Sequence, residues 1–275
     1  MSSSGAPPPS RAAPAATPET AALLDRLVRL ADSTSDRDQG ELAKLLTQRG
    51  ILDQLDEPSV RDKSRTADLR IAVVLRHLQD NTSAPAQQTL AHLARNQLYG
   101  ESWQRKELLI RALETQRPLR PEALAFMDAQ ARPDSVNLHI AIDALSNNAT
   151  KEALDLLGRK LADPQFEFVY RLGWIRTAIL RNRRAPEILR AAQGWLAPGA
   201  LDRELQIGLA EALFDYRPDE WYPGRDGWPR PPDERTTSPE AAALARRVGQ
   251  SILASDYPAA VKTAVRQTLK RLPAP

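Results

Sequence analysis

Cysteine is absent from the sequence, which excludes disulfides, thiolate metal sites and cysteine nucleophiles together. Histidine is almost as scarce. His77, His92 and His139 stand in no HExxH or comparable ligand spacing, so no zinc or haem cofactor is expected. Runs of β-branched residues long enough for a sheet are missing, and aromatic residues make up only 5 %. No stretch approaches the roughly 18 consecutive apolar residues of a transmembrane helix, and MSSSGAPPPSRAAPAATP at the start lacks the apolar core of a secretory signal. Charge of one sign is lacking too: 38 Lys and Arg stand against 35 Asp and Glu, for a net +3. Without local clustering that field is too weak to recruit nucleic acid.

What is present is alanine, leucine and charge. Ala and Leu dominate the apolar set and lose little rotamer freedom in a helix. With 42 % hydrophobic and 27 % charged residues, the composition is that of a folded soluble protein. A cytoplasmic location is the expectation, and an exported one if a signal segment has been trimmed and a Met added. Residues 1–17 carry Arg11 as their single charge among Ser, Pro and Ala, and are expected to form a disordered tail. Order should begin at Thr17-Pro18-Glu19, an N-cap followed by a helix-opening proline and an acid. A second helix is expected near 37–50, ending at Gly50.

From residue 65 onward the pattern repeats. Pro121-Glu-Ala-Leu, Lys151-Glu-Ala-Leu, Pro186-Glu-Ile-Leu and Pro239-Glu-Ala-Ala look like helix starts, with Pro85-Ala-Gln-Gln a more degenerate copy. Each follows an apolar helical segment that ends in short polar residues, so the unit is helix, tight turn, helix. The starts are 36, 30, 35 and 53 residues apart, and the last interval is too long by about 18. The excess matches DEWYPGRDGWPRPPDER, residues 219–235, an insert in the turn of a repeat, where added residues leave a helix stack intact.

Helix pairs of this period resemble the HEAT/armadillo-like helical repeat families over about residues 66–272. The likeness is carried by Ile140-Ala-Ile-Asp-Ala-Leu-Ser-Asn-Asn with Thr150-Lys-Glu-Ala-Leu, and by Trp174-Ile-Arg-Thr-Ala-Ile-Leu-Arg-Asn with Ala185-Pro-Glu-Ile-Leu. It implies an all-α solenoid of antiparallel helix pairs, with residues 18–64 as an N-terminal pair or cap and 65–272 as repeats interrupted by a loop at 216–237. It also implies a non-enzymatic scaffold that holds a protein or peptide on its surface. Two other roles belong to the same resemblance or composition: an enzyme acting on DNA bases or attaching a chromophore, and an accessory domain of a larger exported or membrane-associated assembly.

The candidate partner-binding residues are Trp221, Tyr222, Arg225, Trp228 and Arg230 of the insert, since amphipathic aromatics and arginine dominate contact hot spots. Folding of the two Trp rings onto neighbouring helices is the competing reading. Lys262, Arg266 and Lys270 line one face of the last helix opposite Val261, Val265, Leu269 and Leu272, and are candidate contacts for an anionic partner or a solvated cap. Arg171, Arg176, Arg181, Arg183 and Arg184 give a local positive charge; the last two suit a helix C-terminus. His139 and Asp143 are spaced for a hydrogen-bonded pair, and Trp103, Trp174 and Trp195 for core packing.

Overall fold

The computed structural model describes residues 17–55, 70–96, 102–215 and 237–273. Among the described residues the chain is all-α and holds 14 helices. They are α1 (Pro18–Asp32), α2 (Asp36–Leu46), α3 (Arg49–Leu55), α4 (Ile71–Asp80), α5 (Ala84–Arg95), α6 (Trp103–Glu114), α7 (Pro121–Gln130), α8 (Leu138–Asn148), α9 (Lys151–Ala162), α10 (Phe168–Asn182), α11 (Pro186–Trp195), α12 (Arg203–Phe214), α13 (Pro239–Ala254) and α14 (Ala259–Arg271). The chain forms two compact units, Met1–Ala112 and Leu113–Pro275.

The expected helix starts are present, and their chemistry is visible. Thr17, Ser35, Ser83, Thr150 and Ser238 each cap a helix by accepting a backbone N–H three residues on, which satisfies one of the donors a helix start leaves unpaired. Pro121, Pro186 and Pro239 open α7, α11 and α13, where a missing N–H costs nothing. One boundary differs from expectation. The helix foreseen over 37–50 is two, because the chain turns at Thr47, whose hydroxyl donates to the Lys44 carbonyl at 2.7 Å, and Gly50 lies inside α3 instead of ending α2.

In the first unit α1 packs on α4 and α2 on α5, two helix pairs stacked side by side. Leu27, Leu42, Leu46, Val74, Leu78 and Leu93 fill the space between them. The second unit is a longer stack of the same kind, with α8, α10, α12 and α14 forming one layer and α7, α9, α11 and α13 the other. Both layers bury leucine, isoleucine and alanine, each fully buried Leu or Ile contributing about 2 kcal/mol. This is an α-solenoid arrangement, the class expected from the repeat.

The turns between helices are tied down by side chains that capture carbonyls at the ends of neighbouring helices. Asn148 Nδ2 donates to the carbonyls of Glu114 at 3.1 Å and Gln116 at 2.8 Å, while its Oδ1 accepts from the Thr150 backbone N–H at 3.3 Å. Asn81 repeats the device, donating to Ala31 at 2.7 Å and Ser33 at 2.9 Å and accepting from Ser83 N–H at 3.1 Å. Gln39 and Gln206 do the same with their amides. A helix C-terminus leaves carbonyls unsatisfied, so each such amide joins two helices where their backbones most need donors.

Candidate functional site

Large apolar side chains exposed to solvent are few among the described residues: Val73, Trp103, Val136, Phe168, Val169 and Tyr170. Phe168, Val169 and Tyr170 are consecutive in the first turn of α10, and Val136 lies two residues before α8, which packs beside α10 in one layer of the second unit. Val136 is 76 % exposed, Val169 63 %, Tyr170 45 % and Phe168 40 %. Scattered apolar residues on a surface are ordinary, whereas a contiguous group marks a contact surface.

The patch rests on a built foundation. Phe166 and Trp174 are buried beneath it, their rings edge-on at 5.1 Å between centroids. The His139 ring lies 5.4 Å from Tyr170 and 6.4 Å from Trp174. Offset and edge contacts of this kind hold rings in fixed orientations. Arg171 anchors the first turn of α10, donating to the Leu161 carbonyl at 3.2 Å and pairing with Asp202 at 2.9 Å. Exposed Asp134 and Glu167 flank the patch. Gly173, one turn beyond Tyr170, has open space where a Cβ would sit.

Arg183 and Arg184 both donate to the Leu213 carbonyl, at 2.7 and 3.1 Å, so these cations sit at the C-terminus of α12 as well as at the end of their own helix. Arg176 is half-buried. Of the tryptophans expected in the core, Trp174 and Trp195 are buried there, whereas Trp103 opens α6 half-exposed, because a first-turn residue has no preceding turn to cover it.

Lys262, Arg266 and Lys270 lie on α14, with Arg266 and Lys270 exposed and Lys262 half-buried, opposite buried Val261, Val265 and Leu272. Trp221, Tyr222, Arg225, Trp228 and Arg230 lie outside the described residues, as do the tail 1–16 and loop 216–236. Among the described residues no cluster of three His, Asp or Glu side chains is placed to hold a metal ion, and no helix is long and apolar enough to cross a membrane.

The apolar patch was not among the residues singled out from sequence. Its signal is Phe166-Glu-Phe-Val-Tyr170, three aromatics within five positions of a chain poor in them. No family model matches the chain, and neither a curated protein nor a solved structure matches it at a significant level.

Proposed function

We propose that this chain is a non-enzymatic interaction module that holds a protein or peptide partner on the apolar patch at the N-terminal ends of α8 and α10. The observation that carries the reading is the run of exposed Phe168, Val169 and Tyr170 in the first turn of α10 over a buried aromatic base, with exposed Val136 just before the neighbouring α8. Tyrosine and phenylalanine that stay partly exposed on rigid helices lose little side-chain freedom on binding, which favours them as anchors. The resemblance to HEAT/armadillo-like repeats supports the same reading, since such stacks present extended surfaces to partners. The 216–237 loop, with Trp221, Tyr222, Arg225, Trp228 and Arg230, is a second contact element of the module, and Lys262, Arg266 and Lys270 are contacts for acidic groups of the partner.

Affinity capture from the native cell extract tests this with three baits: the intact chain, a Val169→Asp/Tyr170→Ala variant, and a Trp221→Ala/Trp228→Ala variant. A protein retained by the intact chain and lost from the first variant supports the patch. Equal retention by the intact chain and the first variant removes the patch from the site. Loss from the second variant alone assigns binding to the loop.

A further inference from the structure

In the first unit α2 and α5 run side by side in the same direction, both starting from the clamped turns in which α1 and α4 end. Between them lies a groove of about 550 Å³, lined along α2 by Asp36, Gln39, Gly40, Ala43, Lys44 and Thr47. Pro85, Gln88, Thr89 and His92 of α5 form its other wall. That volume falls within the range of ligand sites.

Three observations make it more than a gap between helices. Gly40 stands in the interior of α2, where glycine weakens a helix, yet a Cβ there would meet nothing within 4 Å. No neighbour in the chain requires the glycine; it keeps the groove open. Gln39 lines the groove and is 2 % exposed. Its Nε2 donates to three carbonyls, while its Oε1 is a buried acceptor without a hydrogen-bond partner, the only such side-chain atom among the described residues of this unit. A buried polar atom left unpaired is costly and favours any donor that reaches it. Finally, the groove is electrically polar: Asp36 stands at one end, and Lys44 stands toward the other, which His92 and exposed Arg95 share.

We propose that this groove binds an extended peptide segment of a partner protein, about five residues long, with a basic side chain at one end over Asp36 and an acidic group at the other over Lys44. The length follows from α2 itself. Asp36 to Thr47 spans about 16 Å at 1.5 Å per helical residue, which about five extended residues cover. Gln88 supplies a side-chain donor and acceptor along the way, and the Thr47 hydroxyl oxygen, whose proton goes to the Lys44 carbonyl, a further acceptor, the complement of an unpaired peptide backbone. The groove belongs wholly to the first unit, so this inference stands independently of the α8/α10 patch.

The test is a titration of the full ¹⁵N-labelled chain, followed by amide shifts, with blocked pentapeptides that share an Ala-Ser-Ala centre and differ only at their ends. One carries Lys and Glu, one Lys and Lys, and one Glu and Glu. The Lys/Glu peptide is expected to shift the amides of Gly40, Ala43 and Gln88 and to bind about five-fold tighter than the other two, the selectivity of one charge pair. Gly40→Leu, which fills the groove from an exposed position, is expected to abolish the shifts without lowering the melting midpoint. Lys44→Glu is expected to transfer the preference to the Lys/Lys peptide. Equal affinity for all three, shifts confined to other helices, survival of binding in Gly40→Leu, or no shift at millimolar peptide would each overturn the proposal. So would shifts at these amides that depend on protein concentration alone, because the occupant would then be a second copy of the chain.

Discussion

The indole of Trp195 on α11 occupies the space where any side chain at Gly158 on α9 would begin: a Cβ at Gly158 would lie 2.5 Å from Nε1. The missing side chain is what lets the two helices meet through so large a ring. Gly158→Ala gains about 1 kcal/mol of helix propensity but forces a rigid, buried ring to move, at about 1–3 kcal/mol. The expected net result is a loss of stability, read as a lower midpoint in urea with an unchanged slope.

Gly173 on α10 predicts the opposite sign. A Cβ there meets nothing within 4 Å, so only the helix term remains. Gly173→Ala should stabilise the second unit by about 0.5–1 kcal/mol. The contrast between Gly158 and Gly173, measured in one denaturation series, separates glycines required by packing from those that packing does not require. A lower midpoint for Gly173→Ala would show that α10 carries a contact at this position.

Asn148 is 1 % exposed and joins the end of α8 to carbonyls at the end of α6. Truncation to alanine removes a buried donor from those carbonyls, which the Arg117 guanidinium also reaches at 3.1 and 3.2 Å, at an expected cost of about 1 kcal/mol. The next residue, Ala149, sits at φ 54°, the left-handed region that disfavours a side chain. Ala149→Gly is therefore expected to add about 1 kcal/mol. The two substitutions should move the thermal midpoint in opposite directions; like signs would sink this account of the turn.

Asp38 supplies the pH dependence. The Ser33 hydroxyl, which donates to it at 2.6 Å, and then the Ser35 hydroxyl hold its carboxyl below the ordinary carboxylate value. A group whose value is depressed by folding stabilises the fold above its unfolded value, about 4, and that stabilisation is lost as pH falls through the lower folded value. The stability difference between the parent chain and Asp38→Asn should be constant above about pH 5 and shrink toward pH 2. A difference that grows on acidification would contradict the assignment.

Helix starts were the legible part of this fold, because capping is local: Thr17-Pro18, Thr150-Lys151-Glu152 and Pro239-Glu240 carry their own donors, acceptors and fixed angles within one turn. The solenoid class followed from their spacing. The clamps were not legible, since Asn148 reads as an ordinary polar residue until residues 114 and 116 are brought to it from more than 30 positions away. The α8/α10 patch was hidden for a related reason. Phe166 and Phe168 are chemically identical, and only the packing of α10 decides that the first is buried and the second exposed. The groove escaped notice because it is made by what Gly40 and Ala43 lack.

The two asparagine clamps have a practical consequence for making the protein. Asn81-Thr82-Ser83 and Asn148-Ala149-Thr150 each spell the Asn-x-Ser/Thr triplet on which a eukaryotic secretory pathway installs an N-linked sugar. That nitrogen is the same Nδ2 that reaches across to the carbonyls of a neighbouring helix. A glycan attached to the growing chain would arrive before the turn closes and would be too bulky to bury. Secretion from insect or mammalian cells is therefore a route to misassembled turns in both units, Asn81 in the first and Asn148 in the second, whereas expression where no oligosaccharyltransferase acts leaves both asparagines free to lock their turns.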